Sequence, residues 1–151
     1  MLFRSQTLPV LEASNVITNQ GAFALQAPHA NGSNTYSARV NGNPTSVGNA
    51  VQIGYVSPHS AVLTAQANLS AEDNKKVSLR VNGSGTVYNG EPVNDGMLGN
   101  YPLYIGRRGG TSLPFNGHLY SLIIMGRLAS AEETSTIEKE LAKRTGVTLS
   151  V

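Results

Sequence analysis

The chain has 151 residues, 13% of them charged, a net charge of +2 and no cysteine. That length fits one domain with a real core, while a small charge spread over scattered bases is too small to imply a nucleic-acid partner and the lack of cysteine excludes disulfides and thiolate metal sites. The longest aliphatic run, Leu122–Met125, is too short to span a bilayer.

The segment 1–9 shows no strand pattern and no secretory signal, and is expected to be non-native or disordered. Residues 10–151 are expected to form a single domain. Strands are predicted at Val10–Ala13, Ala22–Ala27, Tyr36–Val40, Val51–Val56, Ala61–Asn68, Lys76–Val81, Thr86–Tyr88, Leu103–Arg107 and His118–Met125. Their warrant is alternation with period two. Tyr36, Ala38 and Val40 oppose Ser37 and Arg39, Val77, Leu79 and Val81 oppose Ser78 and Arg80, and Val51, Ile53 and Tyr55 form a third set. Asn-Gly pairs at 31–32, 41–42, 82–83, 89–90 and 116–117 punctuate the strands. Both residues tolerate the positive φ of tight hairpin turns. The segment His118–Met125 is apolar on both faces, as a central or covered strand would be.

A helix follows. Ser130 and Glu133 form a capping box, Glu132 and Glu133 suit its first turn, Lys143 and Arg144 suit its last, and Gly146 suits the left-handed cap. Its thin stripe of Ile137, Leu141 and Ala142 predicts a helix docked on a sheet as cover. The expected core comprises Phe23, Leu25, Val40, Ile53, Leu79, Val81, Leu103, Ile105, Leu119, Ile123, Ile137 and Leu141. On this reading Ile123→Asp buries an unpaired charge and prevents folding.

The segments Arg80–Gly83, Leu103–Arg107 and Phe115–Leu122, followed by a Ser-Ala-Glu-Glu helix, resemble the concanavalin-A-like (laminin-G-like) jelly roll, as found in bacteriophage virion and tail proteins. The resemblance implies an all-β antiparallel sandwich, with the one helix packed on it, and a carbohydrate-binding or virion-structural role. It also implies strands ahead of the segment resembling Leu11–Pro28, so the chain is expected to be N-terminally truncated. Leu2-Phe3-Arg4-Ser5 matches one reading frame of a common sequencing-adapter end and is expected to be foreign.

Chemistry is sparse. Glucanases of this fold cluster carboxylates on one strand, and hydrolysis needs two about 5–10 Å apart. Four of the nine acids belong to the helix, and Glu12, Glu72, Asp73, Glu91 and Asp95 form no such cluster. His29, His59 and His118 follow no catalytic motif. Laminin-G-like modules often carry calcium at the rim, and the loop with Asn94 and Asp95 is the best source of oxygens, although one carboxylate binds weakly. A polar turn held by its own side chains accounts for that loop equally. No other cofactor is expected.

Sugar sites pair aromatic faces with amides and Arg. The candidates are Asn100, Tyr101, Arg107, Arg108, Thr111, Ser112 and Asn116, with Tyr104, Phe115 and Tyr120 nearby in sequence. Alternatively, Gly109 and Gly110 permit a tight turn and the arginines make structural hydrogen bonds. The expected function is a non-catalytic carbohydrate-binding module of a phage or prophage virion or tail protein, virion-borne or extracellular. Its partners are a glycan or cell-surface polysaccharide, other virion proteins or further copies, with no nucleic acid or membrane. A purely structural virion module and a glycan-degrading enzyme of the same fold stay open.

Overall fold

The structure, a computed structural model, describes residues 9–16, 19–27, 35–41, 49–54, 60–71, 76–88, 97–109 and 112–150, with the backbone alone for 49–54 and 85–88. The strands are β1 (Pro9–Ala13), β2 (Phe23–Gln26), β3 (Thr35–Val40), β4 (Asn49–Gly54), β5 (Leu63–Ala67), β6 (Val77–Val81), β7 (Ser84–Tyr88) and β8 (Leu103–Ile105), and the helix α1 spans Ala131–Thr145. They form two antiparallel sheets, one ordered β4-β3-β2-β1-β8 and one ordered β5-β6-β7. The chain leaves the first sheet after β4 and returns after β7, when β8 adds to the free edge of β1. The expected leading segment lies outside the described residues apart from Pro9, which opens β1.

Alternation explains the core. Ala38 and Val40 of β3 meet Val77 and Leu79 of β6, and all four side chains are fully buried. Phe23, Leu25, Tyr36, Ala65 and Ala67 pack around them, half-buried. The opposite residues of each strand, such as Ser78 and Arg80, face away from this contact. Between β6 and β7 the chain reverses through Asn82 and Gly83, with φ of 53° and 75°. Two successive positive φ values define the type I′ turn, whose twist matches the flanking strands and which Asn-Gly adopts most readily. The pairs at 31–32 and 89–90, and Gly42, lie outside the described residues, and Gly117 does not take the left-handed conformation.

The capping box of α1 forms as expected. The Ser130 hydroxyl accepts from the Glu133 amide, the Glu133 carboxylate accepts from the Ser130 amide, and Gly146 takes the left-handed conformation. The docking face is a correction. The residues of α1 that are buried are Thr134, Glu138 and Ala142, and Ile137 and Leu141 are only half-buried. Glu138 receives two hydrogen bonds from Arg80 at 2.9 Å and one from the Thr64 hydroxyl at 2.7 Å, while Gln66 donates to Thr134. The helix therefore seats on the polar outer face of the three-stranded sheet. An ion pair replaces the expected apolar contact because that face offers Thr64, Gln66 and Arg80 in adjacent registers.

Two further expectations about the core fail. Leu103 and Ile105 share a face with Leu11, Leu25 and Ala38 by register, yet they are about half exposed. The three-stranded sheet packs chiefly against β3 and β4 and leaves the β8 end of its neighbour uncovered among the described residues. Residues 118–125 are not a strand. Among the described residues nothing pairs with their backbone, and Leu119, Tyr120, Leu122, Ile123 and Ile124 are exposed. With Ile123 53% exposed, an aspartate there meets water, so burial of an unpaired charge no longer applies. No helix among the described residues is long and apolar enough to cross a membrane.

Candidate functional site

The face of the five-stranded sheet turned away from the core carries a row of polar side chains. Register places Tyr104, Glu12, Ala24 and Arg39 side by side across β8, β1, β2 and β3. Directly opposed residues of neighbouring strands project to one side of a sheet, so these four share a surface. Ala24, between Glu12 and Arg39, is fully buried. Farther along the same face, the Ser37 hydroxyl donates to Gln26 at 2.9 Å, and both are buried.

Glu12 is the unusual member, because it is only 1% exposed on an outward face. Its Oε1 accepts from the Ser14 hydroxyl at 2.6 Å. Its Oε2 is buried and has no hydrogen-bond donor among the described residues. Among the described residues Arg108 forms an ion pair with it, its Nε 3.9 Å from Oε2, beyond hydrogen-bond length. Arg39 donates from Nε to Asn41 Oδ1 at 2.9 Å. Burial, and after it the neighbouring Arg108 charge, pulls the Arg39 guanidinium below its ordinary pKa. A buried carboxylate with one idle oxygen is costly, and Arg108 stands beside it.

Arg108 reaches the row because the chain after β8 folds back on itself. The Gly106 amide donates to the Val10 carbonyl, Arg108 and Ser112 exchange backbone hydrogen bonds, and the Phe115 amide returns to the Gly106 carbonyl. Gly109 (φ 54°) closes this small loop, and Leu113 holds a φ of 49° just beyond it, a conformation that costs a branched side chain about 1–2 kcal/mol.

The sequence candidates divide into two groups. Arg107, Arg108, Ser112 and Asn116 gather at one end of β8, and Asn100 and Tyr101 lie beyond the other. The Tyr101 hydroxyl donates to the Gln20 carbonyl at 2.7 Å and ties that segment to the turn before β2. Thr111, Asn94 and Asp95 lie outside the described residues, as do His29 and His59. Among the described residues no group of three or more His, Cys, Asp or Glu gathers as a metal site would. Sequence reasoning missed Glu12 and Arg39 as site members, since each reads as one more charge on a wet strand face. Register alone brings them together.

Chemically, the row offers one buried acceptor, two guanidiniums, an amide and a tyrosine. Such a set suits a neutral polyhydroxyl ligand, because a hydroxyl donates and accepts at once. Among the described residues it holds a single carboxylate, where glycoside hydrolysis uses two. No protein-family model, no curated protein and no solved structure matches the chain.

Proposed function

We propose that the chain is a non-catalytic carbohydrate-binding module of a phage or prophage virion or tail protein, its two sheets facing each other as a concanavalin-A-like jelly roll. One observation carries the binding reading: the idle Glu12 Oε2 beside the Arg108 guanidinium, 3.9 Å apart. A sugar hydroxyl placed there donates to the carboxylate and accepts from the arginine. Tyr104, in register with Glu12, stands beside it and can take the apolar face of the ring. Arg108 is a third exposed. The virion assignment rests on the order of the strand-and-turn segments, and tail or capsid genes beside this one would support it.

A glycan array with purified protein tests the reading. Binding that is lost in both Arg108→Ala and Glu12→Gln, with unchanged melting of Arg108→Ala, supports it. Absence of binding at high protein concentration overturns it and favours a structural virion module, a role that the exposed apolar segment 118–125 suits. Release of reducing sugar from a bound glycan identifies an enzyme instead.

A further inference from the structure

Residues 117–126 read Gly-His-Leu-Tyr-Ser-Leu-Ile-Ile-Met-Gly and include no Asp, Glu, Lys, Arg or Pro. The segment is extended: the rings of His118 and Tyr120, two residues apart, stack at 6.2 Å on one side. Among the described residues its backbone has no hydrogen-bond partner. Extended backbone with idle amides and carbonyls is a template for another strand, and proteins that avoid such pairing place charges or proline along it. This segment has neither.

Its surroundings deepen the point. Between Ser121–Ile123 and the half-buried Ile137 and Leu141 of α1 runs a groove of about 460 Å³. Leu119, Tyr120, Leu122, Ile123, Ile124 and Leu128 are all exposed. At roughly 100 Å² apiece they offer on the order of 600 Å² per chain, so two such faces together reach the lower bound of a specific interface at about 1,200 Å².

We infer that this segment pairs with the same segment of a second copy, antiparallel about a two-fold axis through Ser121. That register sets Leu119 opposite Ile123 and Tyr120 opposite Leu122. Leu119, Tyr120, Leu122 and Ile123 then each gain an apolar partner across the strands, the kind of cross-strand pair that stabilises sheets. With no charge in the segment, two copies meet without repulsion. A two-fold contact uses one patch on both subunits and closes at two. The inference is independent of the glycan reading, which concerns the outer face of the other sheet.

Light scattering after size exclusion, over two decades of concentration, tests it together with hydrogen exchange. The expected result is a dimer whose amides at 118–125 are protected, and a monomer with wild-type far-ultraviolet dichroism and unprotected amides for Ile123→Asp. Tyr120→Lys, at the most exposed of these positions (67%), gives the same answer should Ile123→Asp fail to fold. A wild-type monomer throughout overturns the inference. So does a dimer that survives both substitutions, or open-ended aggregation in place of a closed pair.

Discussion

Replacing Glu138 with alanine tests how α1 is held. The side chain is 3% exposed and accepts three hydrogen bonds, two from Arg80 and one from Thr64. Removing one partner of a buried pair costs about 3–5 kcal/mol when the surviving charge stays buried. Arg80 is 27% exposed and keeps its bond to the Gly83 carbonyl at 2.8 Å, so it can turn toward water. The loss should fall to about 2–3 kcal/mol. In a chain of this size that lowers the melting temperature by about 5–10 °C.

The reciprocal change is the sharper test. Arg80→Leu strands the more buried carboxylate, so it should cost more than Glu138→Ala. The pH dependence follows with a definite sign. Burial raises the Glu138 carboxyl pKa, but hydrogen bonds from Arg80 and Thr64 outweigh it and leave it below the ordinary 4.5. A depressed folded pKa adds stability above the unfolded value that is lost as pH falls through the folded one. The gap between wild type and Glu138→Gln should therefore narrow once the pH drops below 4.5. Urea unfolding followed by circular dichroism measures all three variants. A Glu138→Ala protein within about 0.5 kcal/mol of wild type, or an Arg80→Leu protein more stable than Glu138→Ala, would refute polar docking of the helix.

Gly21 holds a φ of 74°, and a Cβ there would overlap the Met97 carbonyl and the Gly99 amide; Gly21→Ala should destabilise by about 2 kcal/mol or more in the same urea assay. Glu133 should titrate near 2 by carboxyl-carbon NMR, because hydrogen bonds from Arg127, and then from the Ser130 backbone, lower it from 4.5 to about 2. Its contribution to the start of α1 is then whole above pH 4.5 and fades between there and 2, and Arg127→Ala should move the titration back up.

Most strands were legible because alternation is a local property. Val77, Leu79 and Val81 specify a face whatever covers it, and Asn82-Gly83 specify a turn by backbone sterics. Ser130, Glu133 and Gly146 are equally local, and α1 begins and ends on them. What sequence could not supply is the identity of neighbours. Leu119 to Ile124 carry the composition of a buried strand, but pattern records what a segment can bury and not whether anything arrives to cover it. The face of α1 was misread for the same reason. Thr134 and Glu138 look solvent-bound until Arg80, 58 positions upstream of Glu138, is seen beneath them. At the candidate site, Arg108 stood out in its glycine-rich loop. Glu12 did not, since its surroundings include Arg108 from the loop after β8, nearly a hundred positions downstream.

Asn82 joins parts of the chain made far apart. Its amide donates to the Val62 carbonyl, its side-chain oxygen accepts from the Val62 amide, and its carbonyl accepts from Ser150. Together with the seam under α1, whose bonds link positions 58 to 74 residues apart, it sets an order of assembly. The capped helix can flicker into being by itself within microseconds. It has nowhere to settle until β5, β6 and the hairpin turn exist, because every contact described for its inner side comes from them. Seating of the helix should therefore follow pairing of the hairpin, slowed by the long loops it must close.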